Sequence, residues 1–310
     1  MRILIVLIFT ALGLSVSAQE DENPMVGKWD LTFINDGKEL PSWLEIKKSG
    51  IKTYVGRFVH YSGSARPISE VKMSGDRFYF SIPKQWEEGD GMLNFEGYIT
   101  DNRDTLKGSL SYSDGDVYYF TGLRAPKFKY TANPKWGKEI KLFNGKNTEG
   151  WLPIGMASQW KVEEGVLVNE KAGANLVTSQ SFNDFKLHAE FRYPEGSNSG
   201  IYLRGRYEVQ IADNAGSEPS DILFAGIYGF LTPSEMAAKE AGEWQTYDIT
   251  LIGNRVTIVA NGKTVIQDQA IPGITGGALD SNEGEPGPIV LQGDHGPVEF
   301  RAIIITPRVD

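Results

Sequence analysis

The chain has 310 residues, with 31 basic and 40 acidic side chains, a formal net charge of −9 and no cysteine. The lack of cysteine excludes disulfides, thiolate metal sites, a cysteine nucleophile and a cysteine-borne lipid anchor. The acidic balance argues against nucleic acid and anionic membrane surfaces as partners.

Residues 1–18, MRILIVLIFTALGLSVSA, join a positive charge at Arg2 to an apolar run from Ile3 to Leu14 and end in small residues at Val16 and Ala18. This is the pattern of a secretory signal peptide, with cleavage expected after Ala18. The run is too short to span a bilayer and Glu20, Asp21 and Glu22 follow at once, so the mature protein is expected to be secreted or periplasmic, without a membrane anchor. The remaining chain, about 290 residues, suffices for two domains with their own cores.

Residues 24–125 form the first predicted domain. Eight strands are expected at 26–34, 43–47, 53–60, 68–73, 77–82, 93–100, 105–112 and 117–123, separated by turn signals such as NDGK at Asn35 and SDGD at Ser113. Short strands at this spacing, with no helical period, predict a small up-and-down β-barrel. Gly27-Lys28-Trp29 opens its first strand and Arg124 closes its last. This resembles the lipocalin-type arrangement in which an arginine packs over a tryptophan at the closed end of the barrel. His60 reads as a surface or rim residue and Trp86 as an exposed loop aromatic. Nothing in this domain concentrates chemistry, so an accessory, supporting role is expected for it.

A linker, 126–137, carries prolines at 126 and 134 and leads into the second predicted domain, 138–310. Strands are expected at 167–178, 185–193, 200–211, 245–252, 255–261, 264–268, 288–293 and 298–306. Asn261-Gly262 predicts a type I′ hairpin turn. A helical turn is expected only at 233–242, where Pro233 opens and Gly242 closes PSEMAAKEAG. This pattern predicts a two-sheet β-sandwich of jelly-roll type.

Within it, NSGIYLRGRYEVQIAD (198–213) separates polar from apolar residues by strict alternation. Ile201, Leu203, Val209 and Ile211 fall on one parity and are expected in the core. Tyr202, Arg204, Glu208 and Gln210 fall on the other and would share one sheet face. A phenol, a guanidinium, a carboxylate and an amide together suit the wall of a sugar site.

Five segments in order carry a more specific resemblance: LFNGKNTEGW (142–151), WKVEEGVLV (160–168), FNDFKLHAEFRYPEGSNSGIYLRGRYEVQIAD (182–213), GEWQTYDITLIGNRVTIVANGK (242–263) and TGGALDSNEGEPGPIVLQGDHGPVEFRAIIITP (275–307). Together they resemble the bacterial 3-keto-disaccharide hydrolase domain family. The resemblance implies a concanavalin-like jelly roll acting on 3-keto-glycosides, and it leaves the N-terminal barrel outside. It further implies that YEVQI and LQGDHG line the pocket, which selects Glu208, Gln210, Asp294 and His295.

These residue types suit the chemistry on their own terms. A ketone at C3 of a sugar acidifies the hydrogen at C2, so a base can remove it while the C1 substituent leaves, and water can then add. The path needs a base, a donor or cation for the enolate oxygen and an acid near the leaving group. Glu208 or His295 is the expected base, with Asp294 beside them. Arg204 or a bound cation is expected at the enolate. Gln292, on the strand before Asp294, Arg301 in VEFRAIII, Tyr202, Gln210 and Trp244 complete the expected substrate contacts. Arg301 paired with Glu299 on a neutralised sheet surface is the alternative for that residue. Trp151, Trp160 and Tyr228 join Trp244 as candidates for a stacking floor, against a plain core role. His188 is expected buried or half-buried in its strand.

Glu208, Asp213, Asp294 and the 280–285 loop are hard oxygen donors of the type a divalent cation such as calcium uses, although their spacing matches no known loop. EVQIAD also resembles a degraded ExDxxE strand of laminarinase-like glycosidases. Gln210 replaces the central acid and Asp213 has the wrong parity, so a two-carboxylate glycosidase is not expected. The remaining alternative is a non-catalytic carbohydrate-binding protein using the same face.

Overall fold

A computed structural model describes residues 23–85 and 90–310. The expected signal peptide and Trp86 lie outside the described residues. All regular elements among the described residues are strands.

The first sheet holds nine antiparallel strands, β1 (Gly27–Asn35), β2 (Lys38–Ser49), β3 (Thr53–Val59), β4 (Ala65–Ile68), β5 (Lys72–Ser74), β6 (Arg77–Pro83), β7 (Met92–Ile99), β8 (Thr105–Ser111) and β9 (Val117–Arg124). They run in the order β4-β3-β2-β1-β9-β8-β7-β6-β5, a meander joined between its first and last strands. The free ends curl together: Val71 N–H donates to Tyr54 O at 2.7 Å and the Arg66 guanidinium to Pro83 O at 2.9 Å. The single strand expected at 68–73 is instead two, because the chain turns between β4 and β5 to cross that seam. Alternation fills the interior with Leu31, Phe33, Phe58, Phe80, Phe95 and Leu106. The expected contact is present, with the Arg124 guanidinium 4.2 Å from the centre of the buried Trp29 ring.

The remaining strands are β10 (Ile140–Lys141), β11 (Trp151–Ile154), β12 (Lys161–Glu163), β13 (Val166–Asn169), β14 (Asn175–Thr178), β15 (Phe185–Arg192), β16 (Asn198–Leu203), β17 (Tyr207–Ala212), β18 (Gln245–Ile252), β19 (Arg255–Ala260), β20 (Lys263–Ala270), β21 (Val290–Leu291) and β22 (Val298–Pro307). They form a jelly-roll sandwich of two sheets. One runs β12-β13-β22-β15-β18-β19-β20, with β10 also on β22, and the other runs β11-β14-β21-β16-β17. The core lies between them, where Ile201, Leu203, Val209 and Ile211 meet Phe191, Tyr247, Ile249 and Phe300. Asn261 and Gly262 both take positive φ (50° and 80°), as the expected type I′ turn requires.

The helical turn expected at 233–242 does not form. Its backbone groups are satisfied from outside instead. Ser234 N–H donates to Val265 O, Ala237 O accepts from Asn261 Nδ2, and Lys239 is bonded on both sides by the Gln245 amide.

The two halves pack closely. Trp43 and Val59 of the barrel belong to the sandwich's apolar core, with Trp43 edge-on to Phe230 at 5.3 Å. Gly273 gives this indole its room, since a Cβ there would collide with the ring. Ser281 Oγ donates to Leu31 O at 2.6 Å. Asp30 of the barrel and Glu283 of the sandwich form a buried carboxyl pair. Burial and the neighbouring Glu283 push Asp30 up to about 9, and burial pushes Glu283 up to about 7, so the pair holds a proton rather than two charges. Truncation of Trp43 removes a fully buried ring from this joint. Trp43→Ala is expected to cost about 3–5 kcal/mol in chemical denaturation.

Candidate active site

The face of β16 and β17 opposite the core lies under a cavity of about 300 Å³. Its walls are Asn175 of β14, Asn198 and Tyr202 of β16, Glu208 and Gln210 of β17, and Gln292, Asp294 and His295 beyond β21. Tyr228, Gly276 and Gly277 close one side, and Tyr61 and Ser62 of the barrel another. Six of the nine expected residues therefore converge: Tyr202, Glu208, Gln210, Gln292, Asp294 and His295.

The strand register explains the convergence. Tyr202 pairs with Glu208 and Gly200 with Gln210, so the three side chains and the bare Gly200 share one face. A Cβ at Gly200 would collide with the Glu208 carboxyl, so glycine makes the carboxyl's seat. β17 is an edge strand, and its free side is covered by 225–228: Gln210 N–H donates to Gly226 O at 3.0 Å and Tyr228 N–H to Glu208 O at 3.1 Å. Glu208 N–H donates to Thr275 Oγ1 at 3.0 Å. The Asp294-His295 turn is held by the buried Asn169, whose Nδ2 donates to Gly293 O and Gly296 O, and by Asn175, whose Oδ1 accepts from Gly293 N–H at 2.7 Å.

The carboxyl of Glu208 is 4% exposed, and burial pushes it up to about 8, while a hydrogen bond from Tyr202 and the charge of His295 hold it back. His295 Nδ1 lies 2.7 Å from Asp294 Oδ1. That bond raises the imidazole above its ordinary value against the opposing effect of burial. For Asp294 burial works upward, but the bond and charge of His295 outweigh it and hold the carboxyl below its usual range. Tyr202 donates to Gly276 O at 3.2 Å and accepts from Gln292 Nε2 at 3.4 Å. The Oε1 atoms of Gln210 and Gln292 are buried without a partner among the described residues. Buried polar atoms are almost always paired, so these two are acceptors in the cavity wall that the described residues leave unsatisfied.

Three expected residues are elsewhere. Arg204 lies beyond the end of β16, in a turn where it and Gly205 take positive φ (53° and 69°), and this breaks the strand parity. Its guanidinium is fully buried against Tyr207 OH (3.0 Å) and Gly253 O (2.9 Å), under the Phe128 ring, and does not reach the cavity. Arg301 sits on the other sheet, paired with Glu190 rather than Glu299, which takes Arg192 instead. Trp244 is held between Arg192 and Arg301, 4.8 and 4.4 Å from its ring centre, on that same remote surface.

Trp151 and Trp160 are core residues, their indole N–H groups bonded to Leu142 O and Ala174 O, so of the expected stacking floor only Tyr228 reaches the cavity. His188 is half-buried between Asp248 and Glu190. His60, expected near the surface, is 2% exposed.

Of the expected cation donors only Glu208 and Asp294 share the cavity. Asp213 accepts from Gly196 N–H at 2.9 Å and Asp280 pairs with Arg206 at 2.8 Å. Among the described residues no three acidic or histidine side chains are placed to share an ion.

The family model of the 3-keto-alpha-glucoside-1,2-lyase-like domain matches residues 138–306, more than half of the chain. The sandwich is thus that of a sugar-active domain class, and the chain belongs to this family. A 3-keto-disaccharide hydrolase of Bacteroides thetaiotaomicron is 22% identical over 167 residues, covering 41% of this chain and 57% of that protein. The chain thus spans little more than half the length of that relative. Two solved structures of candidate glycosyl hydrolases from Parabacteroides distasonis are also similar. One is 30% identical, covering 58% of this chain and 93% of that one, with a TM-score of 0.47. The other is 26% identical, covering 55% and 98%, with a TM-score of 0.44.

The raised Glu208 has a consequence for stability. Below the ordinary carboxylate range it is neutral folded or unfolded. As the pH climbs toward about 8 the unfolded chain ionises first, and the folded protein loses stability. Glu208→Gln is therefore expected to gain about 2–5 kcal/mol relative to wild type between pH 4 and pH 9, read from denaturation at both.

Proposed function

We propose that the protein cleaves 3-keto-glycosides at C1, with Glu208 as the base and the His295–Asp294 pair as the acid. The observation that carries this reading is the convergence of the buried Glu208 and a hydrogen-bonded, partly exposed His–Asp pair on one small polar cavity. It is supported by the family to which the sandwich belongs.

In the proposed path the Glu208 carboxylate takes the hydrogen from C2 of the 3-keto sugar. The C–H electron pair forms the C1–C2 double bond, and the C1–O bond breaks. His295, held protonated by Asp294, gives its proton to the departing oxygen. Water then adds at C1, giving a proton to His295 as C2 regains its proton from Glu208, so both groups return to their starting states and the net change is hydrolysis. A base whose pKa lies near neutrality is stronger than an ordinary carboxylate, which suits a carbon acid. In this path the Gln292 amide, bonded to the Tyr202 hydroxyl, would supply the donor to the developing enolate oxygen, the role expected of Arg204. The orphaned amide oxygens of Gln210 and Gln292 would take the sugar's hydroxyls.

The reading is tested by product analysis after incubation with a 3-keto-glucoside and with the same unoxidised glucoside, with and without added divalent cation. Cleavage of the keto compound alone is expected. Binding of both with cleavage of neither would return the protein to the carbohydrate-binding class. Glu208→Gln should lower kcat by roughly 10²–10⁴-fold. In wild type the rate should rise with pH as Glu208 ionises toward about 8 and fall as His295 loses its proton. A wild-type kcat in the glutamine variant would remove Glu208 from the mechanism.

A further inference from the structure

We propose that the N-terminal barrel completes the substrate pocket, and that Tyr61 is the stacking surface for the group joined to C1 of the reacting sugar, so that the barrel sets the leaving-group preference. This rests on the cleavage reading above and goes beyond it, because residue 61 lies outside the matched family span, 138–306.

Tyr61 and Ser62, between β3 and β4, line the cavity that Glu208 and His295 line from the sandwich. Their placement is built. Gly277 N–H donates to Tyr61 O at 2.8 Å. Gly276 has no side chain where Gly63 presses against it, and any Cβ there would collide with Gly63 O. The segment closes on itself through Gly63 N–H to His60 O at 3.0 Å. Behind it, the buried His60 ring is tied at one nitrogen to Ser62 Oγ and at the other to Tyr112 OH, both at 3.0 Å. The Tyr61 ring rests on this imidazole with centroids 4.0 Å apart. A loop serving only to join two strands needs none of these ties.

Depth and chemistry assign the role. The acids and bases of the cavity come from the sandwich: Glu208 and Tyr202 lie deep, each 4% exposed, while Asp294 and His295 stand nearer the mouth. The barrel contributes a phenol ring and a hydroxyl, groups suited to binding a sugar. Tyr61 is 37% exposed, at the mouth. A cavity of about 300 Å³ encloses little more than one small ligand, at the lower limit for such sites. A sugar whose C1 to C3 face the deep groups must therefore direct its C1 substituent outward. A flat, rigid ring at that exit offers stacking worth about tenfold in affinity.

The test uses full-length Tyr61→Ala and Tyr61→Phe with two substrates, methyl 3-keto-glucoside and a 3-keto-disaccharide. In Tyr61→Ala the kcat/KM for the disaccharide should fall about tenfold, mainly through KM, while that for the methyl glycoside changes less than twofold. Tyr61→Phe should keep the wild-type ratio. Equal loss on both substrates, loss on neither, or a phenylalanine variant as impaired as alanine would overturn the proposal. If wild type cleaves neither compound, the cleavage reading has failed by itself. Calorimetric binding of the disaccharide to wild type and Tyr61→Ala then decides the stacking role, and equal affinities overturn it.

Discussion

Removal of water from the Glu208 carboxyl is the constraint around which this molecule is arranged. An ionisable group on a sheet face is normally solvated, and burying it costs free energy unless it stays neutral or gains partners. Here the floor is Gly200, the sides are Tyr202 and the covered edge of β17, and the roof is partly the barrel. Each cover comes from a different stretch of chain, so the shifted carboxyl exists only in the complete fold. Strands β16 and β17 are thereby buried on both faces, by an apolar core beneath and the polar cavity with its covering segments above.

The barrel's contact with the sandwich follows from the same requirement. A roof that drifts cannot keep a carboxyl dry, and the contacts that fix the joint include three unlike ones: the Trp43 indole in the sandwich core, the proton-holding Asp30–Glu283 pair, and the backbone bond from Gly277 to Tyr61. Only the first is apolar. The other two demand particular partners at particular positions, which specifies one docking geometry rather than a general adhesion.

What was legible in the sequence was local. Period-two alternation separated Ile201, Leu203, Val209 and Ile211 from Tyr202, Glu208 and Gln210, and both sets lie on the faces expected. The same rule failed at Arg204, two residues further along, because a positive-φ turn cancels strand parity and the Arg204-Gly205 pair was read as continuing strand. Arg301 and Trp244 were grouped with the site by residue type, yet strand order sends them to the other sheet. PSEMAAKEAG carried helix-end signals, but Asn261 and Gln245 offered its backbone better partners. Tyr61 had no signal within reach: its neighbours in the cavity lie more than a hundred residues away, and only the docking of two sheets brings them together. Glycines 276 and 277, side by side after Thr275, were the one local hint that another backbone approaches there.

Between catalysis and simple binding, the distribution of chemistry in the cavity favours catalysis. A glycan-binding face works through exposed aromatic planes and neutral hydrogen-bonding groups, and it gains nothing from a carboxyl held near pH 8, which weakens the fold as it ionises. The exposed Tyr61 ring lines the cavity mouth, whereas Tyr98 and Tyr119 lie on the outer wall of the barrel rather than over Glu208. The cavity instead sets a carboxyl raised by burial beside an imidazole raised by its bond to Asp294. The two perturbed groups face one another across a space closed by polar side chains. A buried carboxyl whose ionisation weakens the fold, set in a polar cavity with a second perturbed group, follows the pattern of sites built for proton transfer, whereas binding alone would be served as well by glutamine.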